Sequence, residues 1–121
     1  MGAISQLFLG TPRFYITLGS ATKQSDNGYT EFIYNFTPSS PGTVTQSQSN
    51  SVFGGEGAIT YSWTYVSGDT FTFASTTTLS PNISRFTCCG VIFNGVYKIT
   101  ATDATGATTS YLIDITAENM G

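Results

Sequence analysis

Ala58-Ile59-Thr60-Tyr61-Ser62-Trp63-Thr64-Tyr65-Val66 decides the fold class of this chain. Ile59, Tyr61, Trp63 and Tyr65 alternate with Thr60, Ser62 and Thr64, a period of two in β-branched and aromatic residues that marks a strand. Trp63 is the single tryptophan. Its large apolar body at mid-strand is suited to fill the space between two sheets. The reading that follows is an all-β protein, a two-sheet antiparallel sandwich built around one indole.

Composition agrees. The 121 residues form one domain by length and contain 9 Phe, 7 Tyr and 13 Gly, with only 9% charged residues. Strand formers are plentiful and the helix formers Glu, Lys and Arg are scarce, so no long helix is expected. The net charge is −3, with Arg13, Lys23, Arg85 and Lys98 the only cations. Four scattered cations cannot neutralise a phosphate backbone or hold an anionic bilayer, which argues against nucleic-acid and membrane partners.

Working outward, residues 13–18 read as a strand with Phe14, Ile16 and Leu18 inward, after a mildly apolar leader (Ile4, Leu7, Phe8, Leu9). Residues 19–28 read as a polar loop ending in the hairpin dipeptide Asn27-Gly28. Residues 29–36 form a strand with aromatics on both faces, as expected of a central strand or one covered by a partner. The Ser/Gln-rich residues 43–53 suit a polar edge strand or an extended connection. Residues 70–73 place Phe71 and Phe73 on one face. Residues 76–81 extend that region through Leu79, and residues 83–88 bring in Ile83 and Phe86. Asn94-Gly95 reads as a second tight turn. Residues 96–102 and 108–116 then form a hairpin, with Tyr97, Ile99 and Ala101 inward on one arm and Tyr111, Ile113 and Ile115 alternating on the other. The expected core residues are Trp63, Tyr97, Phe71, Phe73 and Ile99.

With no histidine, Ser-His-Asp and Cys-His catalysis are excluded, as is any metal site that needs imidazole. The carboxylates show no recognisable paired spacing, and Asp26, Asp69 and Asp103 sit in turn contexts. No cofactor and no catalytic residue is expected. Cys88 and Cys89 are read as free thiols, one facing the core, with a vicinal disulfide or an intermolecular bridge as the sharper alternative. No basic leader precedes residues 4–9, so the expectation is synthesis in the cytoplasm. The surplus aromatics Phe8, Tyr15, Tyr29, Phe32, Tyr34 and Phe36 are interface candidates. Phe32, Tyr34 and Phe36 fall on the face opposite Ile33.

Gly54-Gly55-Glu56-Gly57-Ala58-Ile59-Thr60-Tyr61-Ser62-Trp63, the following Ser67-Gly68-Asp69, and Gly95-Val96-Tyr97-Lys98-Ile99-Thr100-Ala101-Thr102-Asp103-Ala104-Thr105-Gly106-Ala107-Thr108 together resemble a PKD-like immunoglobulin-like domain of tailed-bacteriophage virion proteins. The resemblance covers residues 54–117. It implies an immunoglobulin-like sandwich with Trp63 as the core tryptophan of the third strand and Tyr97 on the penultimate strand, near a corner tyrosine. No cysteine stands on the strand before Trp63, so the antibody-type inter-sheet disulfide is not implied. The aspartate-rich loop of typical PKD repeats is reduced to Ser67-Gly68-Asp69, a departure from the calcium-loop pattern; a weak Ca²⁺ site from Asp69, Asp103 and loop carbonyls is the sharper alternative to plain turn roles.

The resemblance also implies a non-enzymatic structural protein of the virion, a capsid decoration or cement protein made in the host cytoplasm. Residues 1–28 would be a docking arm or extra hairpin beside the core at 54–117. Partners would be other capsid or tail proteins and sister copies, with a trimer as the symmetric candidate. The alternative is a carbohydrate- or receptor-binding module of a tail fibre or bacterial surface protein, with a surface glycan as ligand.

Overall fold

The computed structural model describes residues 13–19, 21–26, 29–36 and 41–119, and over 22–36 the backbone alone. Ten strands run through them and, among the described residues, no helix occurs. They are β1 (Tyr15–Leu18), β2 (Thr22–Asp26), β3 (Tyr29–Phe36), β4 (Gly42–Gln46), β5 (Asn50–Phe53), β6 (Thr60–Gly68), β7 (Thr72–Phe73), β8 (Ile83–Thr87), β9 (Ile92–Thr102) and β10 (Thr108–Glu118). Hydrogen bonding sorts them into a five-stranded sheet ordered β2-β3-β10-β9-β6, a three-stranded sheet ordered β4-β8-β7, and a β1-β5 ribbon.

Alternation in β9 and β10 builds the core. Tyr97, Ile99 and Ala101 of β9, with Ile113, Ile115 and Ala117 of β10, are buried, while Lys98, Ser110 and Leu112 are exposed. Across the sheet Ile99 stands between Trp63 of β6 and Tyr111 of β10. The two smaller sheets share this core through Ile83, Val44 and Phe73, and through Ile16, Leu18 and Val52. Ile99, Ile113 and Ile115 are wholly buried, each contributing roughly 1.5–3 kcal/mol by leaving water. The indole of Trp63 is 4% exposed and is therefore clamped in the core.

The outer edge of β6 is occupied at Trp63. The Trp63 backbone N–H donates to the Thr76 carbonyl at 2.8 Å, and its indole Nε1–H donates to the Thr78 carbonyl at 2.9 Å. Residues 74–82 thus follow that edge as bends, where the sequence suggested extended chain through 76–81. The edge that would otherwise template another strand is partly covered.

Several sequence expectations are corrected. The polar stretch 19–28 contains β2, whose Thr, Lys, Gln, Ser and Asp pair antiparallel with β3 at the sheet's margin. A strand at a margin has no need of an apolar face, so its polarity concealed it. β3 joins β10 in parallel, against the antiparallel pairing expected throughout. Phe86 is 59% exposed, because Ile83 and Thr87 are the buried positions of β8.

Asn94-Gly95 is not a turn; β9 runs straight through it. Glycine is required there for another reason. A Cβ on Gly95 would lie 2.0 Å from the Asp69 carbonyl oxygen, with the Phe71 ring close behind. That approach follows from a bulge in β6, where the register shifts between Tyr65 and Ser67. Tyr65, still in register with Tyr97 just before the shift, is 52% exposed and its ring meets Tyr97 edge-on at 5.6 Å.

Candidate functional site

Of the expected core residues, Trp63, Phe71, Tyr97 and Ile99 are buried and Phe73 is half-buried. Phe73 connects the aromatics, with ring centroids 5.2 Å from Trp63 and 4.8 Å from Tyr97. Tyr97 does not make a local corner contact. Its hydroxyl accepts from the Phe71 N–H and donates to the Phe71 carbonyl, 26 residues earlier in the chain.

Of the interface candidates, Phe8 lies outside the described residues, as do the side chains of Tyr29, Phe32, Tyr34 and Phe36. The backbone register sets Phe32, Tyr34 and Phe36 beside Ile113, Ile115 and Ala117 of β10. Tyr15 is half-buried and stacks on Phe53, with centroids 5.0 Å apart and planes 22° apart. The Arg13 guanidinium carbon lies 5.8 Å from the Tyr15 ring centre.

This small platform has a simple origin. β1 pairs antiparallel with β5, bringing Tyr15 opposite Phe53 and Ile16 opposite Val52. Ile16 and Leu18 turn into the core, and the next position along β1, Thr17, turns out. Phe53 is 46% exposed and was not anticipated as a surface residue. No local signal marks it, because its partner lies 38 positions earlier and only the strand pairing brings the two rings together. The arrangement offers an apolar face, a phenol and a guanidinium. It can grip another surface through cation–π and apolar contact, each such cation–π contact being worth about 0.5–1 kcal/mol when exposed.

Asp103 and Asp69 serve the backbone. One carboxylate oxygen of Asp103 accepts from the Thr105 N–H at 2.8 Å, the Thr105 hydroxyl at 2.7 Å and the Ala107 N–H at 3.0 Å. Its other oxygen accepts from the Glu56 N–H at 3.0 Å, and the Ala104 N–H returns a bond to the Glu56 carbonyl. The Thr105 hydroxyl foremost, followed by the backbone donors of Glu56, Thr105 and Ala107, holds this carboxyl below its ordinary value against the opposing effect of burial. Asp103 therefore ties the glycine-rich entry to β6 onto the β9–β10 turn. Asp69 likewise accepts from the Asn94 N–H at 2.9 Å, fixing the end of β6 to β9. Among the described residues, no three His, Cys, Asp or Glu side chains are grouped to hold a metal ion.

Cys88 and Cys89 are joined in a disulfide, not free as the sequence reading expected. Adjacent positions do not forbid the bond here, because the chain leaves β8 and turns: Cys89 has φ of 69° and the Val91 N–H donates to the Cys88 carbonyl. Neighbouring residues on a straight strand would point their sulfurs apart. Around this turn Phe86, Val91 and Ile92 are exposed.

Comparison with protein-family models, with curated proteins and with solved structures finds no match for the chain.

Proposed function

We propose that this chain is a non-enzymatic structural protein of a tailed-bacteriophage particle, an immunoglobulin-like β-sandwich that decorates or cements the capsid. The motif spanning residues 54–108 supplies the class, and the Arg13–Tyr15–Phe53 platform is the observation that carries the docking role. It puts two aromatic rings and a guanidinium side by side on the β1–β5 ribbon. β3, next to β10 in the sheet, adds the aromatic stretch 29–36 to the docking elements. The chemistry is contact rather than reaction: a shared core positions aromatic rings, and sister copies and capsid subunits bury them. A stable contact of this kind covers about 800 Å² on each partner.

The test is co-sedimentation of the purified chain with undecorated capsids of the phage that encodes it, alongside sedimentation of the chain alone. Saturable binding, weakened when Tyr15 and Phe53 are changed to Ala in a folded protein, supports the reading. A monomer that ignores capsids sinks it. A glycan-array signal lost in Tyr29→Ala or Tyr34→Ala, with no capsid binding, would replace it with the sugar-binding alternative.

A further inference from the structure

The Cys88–Cys89 disulfide closes the shortest loop a chain can form. The stabilisation a disulfide gains by restricting the unfolded chain grows with loop length, so this bond contributes little of that kind. The strand ends beside it are held independently. Buried Asn119 donates from Nδ2 to the Thr87 Oγ1 at 3.1 Å on one side of the turn. On the other side its backbone N–H donates to the Val91 carbonyl at 3.2 Å. The turn would keep both ends anchored if the S–S bond opened.

Access and backbone conformation point the same way. Cys89 is exposed and Cys88 half-buried. Among the described residues Cys89 is the one non-glycine residue with positive φ, a left-handed conformation that L side chains adopt reluctantly outside turns and functional sites. A bond that does not staple the fold, sits at the surface and spans a tight turn with a positive-φ residue is placed for exchange chemistry.

We propose that Cys88–Cys89 is a surface thiol-exchange site, opened and closed by thiolates without unfolding of the sheets. The incoming thiolate attacks Sγ of Cys89, the exposed sulfur. A new S–S bond forms to the attacker, the Cys88–Cys89 bond breaks, and Cys88 leaves as a thiolate. That thiolate can attack Cys89 again and expel the first thiol, restoring the ring. Alternatively a second external thiolate attacks the outer sulfur of the mixed disulfide and releases Cys89. The two cysteine thiolates then take protons from water, and two external thiols have become one disulfide, supplying the two electrons. The inference stands apart from the docking proposal and concerns the turn between β8 and β9 alone.

The experiment uses the intact, folded chain in glutathione buffers of graded ratio, with a single-cysteine peptide as a second thiol source. Intact mass reports the bond, and amide exchange reports the fold. The expected result is reversible gain and loss of two hydrogens with the β9 and β10 amides still protected. Phenylarsine oxide, which bridges two neighbouring thiols, should bind only the reduced form. In Cys88→Ser the mixed disulfide should accumulate on Cys89, and Cys89→Ser should be thiolated at least about tenfold more slowly, following access to the sulfur. Glutathione and the peptide acting alike would assign a general thiol site; reaction with only one would assign the source. Reduction only after denaturant unfolds the wild-type sheets would overturn the proposal. So would failure of oxidised glutathione to close the bond in the folded chain, or equal thiolation rates in the two variants.

Discussion

The hydroxyl of Tyr97 and the backbone of Phe71 satisfy each other in both directions, accepting from the N–H at 2.8 Å and donating to the carbonyl at 3.2 Å. Both residues are buried, so neither backbone group has ready access to water. The contact links the centre of β9 to the residues just before β7, and so ties the large sheet to the three-stranded one. Tyr97→Phe keeps the ring and removes both bonds. The expected loss is about 2 kcal/mol in denaturant unfolding, because two hydrogen bonds between β9 and the Phe71 backbone are removed. An unchanged midpoint would mean that water reaches Phe71.

Trp63 should report burial directly. Its emission in the native chain is expected to be blue-shifted, moving red in one step on unfolding. Trp63→Phe removes the indole donor to Thr78 and leaves a small cavity in the core, with an expected cost of about 2–3 kcal/mol. Faster amide exchange confined to the 74–82 region would show that this bond holds the covering segment against β6.

Gly95→Ala places a methyl where the Asp69 carbonyl already lies. Backbone must move on one side or the other, so a loss of about 2–3 kcal/mol is expected, comparable to overpacking a core. A thermal scan reads it, and an unshifted transition would contradict the close approach of the two segments.

Acid should weaken the chain through Asp103. Its folded-state carboxyl titrates below the unfolded value, so its contribution is complete above the unfolded value and is lost as pH falls through the folded one. Stability measured from neutral pH downward should therefore decline below about pH 4. Asp103→Asn should flatten that part of the profile and lower the plateau, since an amide nitrogen would then face the Glu56 or Thr105 donors. A profile identical to wild type would remove Asp103 from this role.

The aromatic platform predicts a separation of effects. Phe53→Ser alters a residue that is nearly half exposed, and a change in stability within about 1 kcal/mol is expected. If the proposed docking role holds, capsid co-sedimentation, by contrast, should fall sharply. Equal loss of folding and binding would make the ring structural.

The strands richest in β-branched and aromatic residues were legible because periodicity of two and burial agree in them: β6, β9 and β10 show it plainly. β2 was not, since a polar margin strand is defined by its neighbour β3 rather than by its own composition. Asn94-Gly95 carries the letters of a turn, but the glycine answers to a backbone 26 positions away, a contact no local window contains. The same holds for the platform, where β1 supplied Tyr15 and a distant strand supplied Phe53. The Cys88–Cys89 bond is not legible because strand geometry would point neighbouring sulfurs apart; the left-handed turn at Cys89 is what brings them together.

The pairing of β10 with both β3 and β9 has a bearing on synthesis. The strand at the middle of the large sheet is the last one described, and it leaves the ribosome after the strands on either side of it. Until residues 108–118 emerge, the β2–β3 hairpin has no neighbour to dock on. A nascent chain halted before Thr108 should therefore be protease-sensitive along much of its length, with folding falling late and nearly all at once.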